Sequence, residues 1–134
     1  MSPTQRSLVR LRKLGFLAAV VEKWNPHVGP HGIRQDLFGI GDVLAVHARD
    51  RIFLLVQATT AGNISSRLRK AKQSGELKLW LAAGGRFVVL GWQKRDGRWE
   101  AREVEVTLAD EDLAAVVPQR RKRKKAEPNL FDGA

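Results

Sequence analysis

The sequence predicts an α/β fold, a mixed sheet of about four strands flanked by helices. Three observations predict it. The run Gly41 to Thr59, GDVLAVHARDRIFLLVQAT, reads as two strands that are apolar on both faces, joined by the charged turn Ala48-Arg49-Asp50-Arg51, as buried central strands are. Arg86 to Gln93 and Trp99 to Leu108 flank Asp96-Gly97, a strong hairpin signal. Between these pairs lies a stretch with helical spacing, in which Ile64, Leu68 and Ala71 recur as an apolar stripe.

Taken in order, the elements are as follows. Leu11, Leu14, Ala18 and Val21 repeat at helical spacing, which predicts a first helix over Gln5–Trp24, with Glu22 flanking the stripe near its end. Asn25 to Arg34 is rich in Pro, Gly and His and reads as a loop, with His27 and His31 as loop histidines. If the central hairpin is centred on Arg49 and Asp50, opposed residues have numbers summing to 99. Asp42 then faces Gln57, Leu44 faces Leu55 and Val46 faces Phe53. Gly62-Asn63 opens the second helix, with Asn63 as N-cap. On it Arg67 and Lys70 fall on one flank, and Arg69 and Lys72 on the other. Glu76 to Ala83 is a short helix burying Leu77, Trp80 and Leu81, stopped by Gly84-Gly85. The partly alternating return strand after Asp96-Gly97 has one wet face and reads as a sheet edge. Ala109 to Val116 predicts a last short helix. The expected organisation is one domain over residues 1–117 and a disordered basic tail over 118–134.

Composition narrows the function. The 134 residues hold 24 Lys and Arg against 14 Asp and Glu, a net charge of +10. The tail carries six of those bases and two acids, so the body keeps 18 bases and 12 acids and is itself +6. A basic body with a basic arm favours a polyanion, most often nucleic acid. The absence of cysteine excludes disulfides and thiolate zinc sites and fits a reducing cytoplasm. No apolar run approaches the ~18 residues that suggest a membrane span, and no cleavable apolar segment follows the basic start. No membrane association is expected.

The hairpin register brings a lone carboxylate, Asp42, and a lone carboxamide, Gln57, together at one end of an apolar strand pair. Burying such groups is costly unless something pairs with them. A divalent metal ion, which prefers oxygen ligands, is one such partner. The alternatives remain open: Asp42 capping the strand or pairing with Arg34, Gln57 satisfying a backbone group, Glu22 as a surface acid paired with a base, Asp36 as a loop acid.

The order of these elements, with EKWN, GIRQDLFGIGDVLAV, LLVQATTAGN and AAGGRFVVLGWQK in succession, resembles the PD-(D/E)XK nuclease superfamily. Within it the chain is most similar to small phage and bacterial proteins like Holliday junction resolvases, over roughly Val21 to Val106. The resemblance implies a restriction-endonuclease-like sheet and Mg²⁺- or Mn²⁺-dependent cleavage of DNA, in particular branched or distorted DNA. It also implies a homodimer, and the cytoplasm of a bacterial or phage-infected cell. By position, Asp42 and Gln57 are metal ligands, Ala58 lends its carbonyl, and Glu22 is the supporting acid of the first helix. Thr59 stands where the family has its Lys and carries no charge. Lys70 or Arg67 is then the candidate cation, and Asp36 a third anion. Loss of that Lys also motivates a second reading, a nuclease fold that binds DNA without cutting it.

Arg67, Arg69, Lys70 and Lys72 would suit phosphate contacts, which position DNA without reading its sequence. Arg120, Arg121, Lys122, Arg123, Lys124 and Lys125 form six consecutive bases, expected to bind DNA by counterion release and to weaken steeply with salt. Trp80, Trp92 and Trp99 read as packing residues, whereas Trp24 is the plausible base-stacking platform.

Overall fold

Helix α1 (Pro3–Lys13) starts where Ser2 accepts a hydrogen bond from the Gln5 amide, with Pro3 in the first turn. The molecule is described by a computed structural model over residues 1–109. The predicted last helix beyond its first residue, Ala109, the basic tail and the run Arg120–Lys125 lie outside the described residues.

The first helix is shorter than the expected Gln5–Trp24. Leu14 caps it, and Gly15 follows with φ +93, in the left-handed region that glycine adopts without strain. The Phe16 amide bonds the Leu11 carbonyl and the Gly15 amide bonds the Arg12 carbonyl, the paired bonds of a Schellman termination. The chain then peels off as β1 (Leu17–Val20), antiparallel to β4 (Val43–His47). The helical-looking stripe spans two elements: Leu11 and Ala18 are buried, but Leu14 is exposed. Glu22 therefore lies between β1 and β2 (Lys23–Asn25), not on a helix. The expected loop is also corrected, because its two ends pair as a small hairpin of β2 with β3 (Ile33–Gln35). His27 and His31 lie in the exposed turn between them.

The central hairpin forms in the expected register. Strand β4 pairs with β5 (Ile52–Thr60) with Leu44 opposite Leu55 and Val46 opposite Phe53. A 3-10 turn (Ala61–Asn63) and helices α2 (Ile64–Lys72) and α3 (Gly75–Ala82) then return the chain to β6 (Arg86–Arg95), parallel to β5. Asp96 and Gly97 both take positive φ, as a two-residue hairpin turn with the sheet's twist requires, and lead into β7 (Arg98–Val106). Among the described residues the main sheet has five strands rather than about four, in the order β1-β4-β5-β6-β7. The sheet is mixed, as expected, and β7 lies at its edge.

Helices cover both faces. Leu55, Phe87, Val89 and Val106 meet Ile64, Ala71, Leu77 and Leu81 of α2 and α3 on one side. Val43, Ala45, Val56 and Leu90 meet Leu8 and Leu11 of α1 on the other. Trp92 ties α1 to the sheet by donating from Nε1 to Ser7 Oγ (2.9 Å), and Trp80 donates to the Arg86 carbonyl. Trp99 lies under the Arg6 guanidinium. Trp92 is buried, as expected, whereas Trp80 is only partly buried and Trp99 is exposed on the β6–β7 hairpin.

Gly91 seats α2. A Cβ there would stand 2.3 Å from Ile64 Cδ1 and 3.0 Å from Ala61 Cα, so only a bare α-carbon lets the helix come this close. Gly91→Ala is expected to lower unfolding stability by about 1–3 kcal/mol in urea melts, as overpacking does. A change below ~0.5 kcal/mol would contradict this close packing.

Candidate functional site

Asp42 precedes β4 and is 3% exposed. Its amide donates to the Val56 carbonyl (2.9 Å) and its carbonyl accepts from the Val21 amide (2.9 Å), so strands on both sides fix its backbone. Its carboxylate is fixed too. The Ala58 amide donates to Oδ1 (3.0 Å), and the Thr4 hydroxyl, in the first turn of α1, donates to Oδ2 (2.9 Å). Ala58 is the residue after Gln57, so the expected meeting of Asp42 with the end of β5 is observed.

Two further carboxylates close on Asp42. Glu22, Asp36 and Asp42 each offer an oxygen, and these oxygens lie within 4.8 Å of one another. The β2–β3 hairpin explains the meeting. Its register sums to 58, so Glu22 and Asp36 fall opposite one another just beyond the paired residues. Arg34 Nε approaches Glu22 Oε1 at 3.4 Å, so the arginine weighed as a partner for Asp42 pairs with Glu22 instead.

Gln57 is buried against the same group. In the amide orientation that suits its neighbours, its nitrogen donates to Asp36 Oδ2 (3.0 Å) and to the Ile40 carbonyl (2.8 Å). It thus satisfies a backbone group and holds one of the three acids. With the amide turned over, its oxygen would face those two oxygens, an arrangement favourable only with a cation among them.

These groups line an open cleft of about 650 Å³, whose wall also carries Arg67 and Lys70 from α2 and Phe38 and Gly39 from the loop before β4. Arg69 and Lys72 line a separate surface with Gln73 and Lys78. The expected division of α2 into two basic flanks is therefore observed, and the Arg67–Lys70 flank faces the acids. Thr59 is buried and lies outside the cleft lining. Sequence reasoning missed Thr4, whose contact spans 38 residues and has no local signal. It also missed the part played by Arg34 and Gln35 in the cleft wall.

Burial pushes the Asp42 carboxyl up to about 6, from an ordinary 3.8, against the opposing pull of the Ala58 and Thr4 hydrogen bonds; the Asp36 and Glu22 charges add to the rise. The all-oxygen donor set suits a hard divalent cation. No family model matches the chain, no curated protein matches it, and no solved structure matches it. Among the described residues no helix is long and apolar enough to cross a membrane.

The raised acidity constant has a stability signature. Between about pH 3.8 and 6 the folded chain holds a proton on Asp42 that the unfolded chain has released, so this group makes stability fall as pH rises through that window. The full cost, on the order of 3 kcal/mol, is present above the folded value and absent below the unfolded one. Asp42→Asn, in metal-free buffer, is expected to be more stable than the native chain at pH 7.5, with the gain shrinking toward pH 4. Chemical denaturation across pH measures it. A gain independent of pH, or a loss at pH 7.5, would contradict the shift.

Proposed function

We propose that the protein is a Mg²⁺- or Mn²⁺-dependent DNA endonuclease of the restriction-endonuclease-like kind. The observation that carries this reading is the convergence of Glu22, Asp36, Asp42 and Gln57 in one cleft whose wall bears Arg67 and Lys70. Asp42 and Asp36 would hold the ion, joined by the Gln57 oxygen once its amide turns over, with Glu22 supporting and the Ala58 carbonyl as a further candidate ligand. When bound, the ion supplies Lewis-acid polarisation of the phosphodiester and a more acidic water. The residues of the chain supply the rest. Arg67 and Lys70 draw a DNA phosphate toward the acids and offset charge as it develops there. Lys70 or Arg67 takes the place of the cation that Thr59 cannot provide. The Thr4 hydroxyl and the Ala58 amide keep the Asp42 carboxylate aimed into the cleft. A homodimer, cutting two strands at two such sites, fits the same reading.

A specific observation favours a second reading. Thr59 is buried and uncharged, so a chain of this design that lacks a working substitute cation would bind DNA without cutting it. One assay separates the two. Supercoiled plasmid and a four-way junction are incubated with Mg²⁺, Mn²⁺ or EDTA. Metal-dependent nicking is expected with the native chain. It should be lost with Asp42→Ala and reduced about 10²- to 10³-fold with Lys70→Ala combined with Arg67→Ala, as when a charge-stabilising donor is removed. Tight DNA binding with no cutting under any metal would overturn the nuclease reading in favour of the second.

A further inference from the structure

We propose that the β2–β3 hairpin binds an unpaired nucleotide of the DNA, stacked on Trp24 and held at its phosphate by Arg34, so that the cleft selects DNA with unpaired bases over continuous duplex. The proposal deepens the nuclease reading and takes from it that a DNA strand lies across the three carboxylates.

The hairpin register places Lys23 opposite Gln35, Trp24 opposite Arg34 and Asn25 opposite Ile33. Side chains alternate along a strand, so Trp24 and Arg34 share a face with Glu22 and Asp36, two pairs further in. Two members of that face are acids of the cluster. The backbone positions of the other two are about 7 Å further along the hairpin, two residues of strand rise, with the Trp24 ring leaning onward over Gly32. A strand whose phosphate lies at the acids and that runs along this face of the hairpin would carry a nearby nucleotide over Trp24.

The chemistry of the pair suits that neighbour. Trp24 is the most exposed of the four tryptophans, at 54%. Trp80 and Trp92 are engaged by hydrogen bonds and Trp99 by a guanidinium. Trp24 is nevertheless held in place. The bare α-carbon of Gly32 lets the benzene end of the indole lie against the chain, where a Cβ would stand 2.5 Å from Trp24 Cζ2. A fixed, half-exposed aromatic is a stacking platform that accepts any base. The Arg34 side chain is 78% exposed, although its Nε reaches Glu22, so the guanidinium keeps open donors for a phosphate. In a continuous duplex the bases are stacked on one another, and reaching Trp24 would require unpairing. Forks, flaps and junction cores offer such bases without that cost.

The test measures binding by the full chain in EDTA, by fluorescence anisotropy, to a single strand, a forked duplex and a blunt duplex of one sequence. The native chain is expected to favour the fork over the duplex. Trp24→Leu keeps apolar contact with Gly32 but has no π-face, and should weaken fork and single-strand binding about 5- to 100-fold while duplex binding moves less than about twofold. Trp24→Phe should retain most of the preference, and thermal melts of both variants check folding. Equal weakening on all three probes, no weakening on any, or loss with Phe as large as with Leu would overturn the proposal. Parallel cleavage reactions keep it distinct from the nuclease reading. Cutting without any fork preference overturns this proposal alone. Fork-selective binding that depends on Trp24, without cutting under any metal, supports it and overturns the nuclease reading instead.

Discussion

Three carboxylates face one another at the start of the second strand of the central sheet, and one of them is almost wholly buried. Like charges at that separation repel, and burial of Asp42 adds a desolvation cost that its two hydrogen bonds only partly offset. Folding tolerates the arrangement because the surrounding backbone leaves the acids little choice. Strand β5 donates an amide to Asp42, α1 donates a hydroxyl, and the β2–β3 hairpin sets Glu22 and Asp36 against it. Repulsion of this kind, kept within an otherwise well-packed core, is the basis on which the cleft is proposed as a functional site. A divalent cation is the partner that would turn the repulsion into coordination.

The rest of the molecule is arranged around that mouth. Helix α1 packs on one face of the sheet through Leu8 and Leu11 and delivers Thr4 to Asp42. Helix α2 packs on the other through Ile64 and Ala71, and its Arg67–Lys70 flank closes the cleft. A chain that is strongly basic in both body and tail thus keeps a small anionic centre within a cationic surface. On the proposed function, such a charge layout would draw in a polyanion and present acids to one of its phosphates.

Much of this was legible in the sequence, and the reason differs from element to element. The central hairpin could be read in register because its turn is short and its strands are apolar throughout, so the pairing sum of 99 followed from the turn alone. That sum was enough to bring Asp42 and Gln57 together. The flanks of α2 were legible because helical spacing fixes which side chains share a side. The end of α1 was not, because Leu11, Leu14, Ala18 and Val21 keep helical spacing across a break. Only the left-handed Gly15, with the Schellman bonds that follow it, shows that the chain leaves the helix. Glu22 thus lies between two strands rather than on the helix its spacing predicts, and the ends of the Pro/Gly/His-rich stretch pair where its composition predicts loop. Thr4 was invisible for another reason: its contact is long-range, and no short pattern announces a hydroxyl that meets a carboxylate 38 residues away.

Glu22, Asp36 and Asp42 are proposed to form a site for one divalent ion. Electron paramagnetic resonance of Mn²⁺ titrated with the native chain and with Asp42→Asn tests it most directly, without DNA and without turnover. One saturable Mn²⁺ per native chain, displaced by Mg²⁺ and lost in the variant, is the expected result. Mn²⁺ that stays free at millimolar protein, or that binds both chains alike, would contradict it.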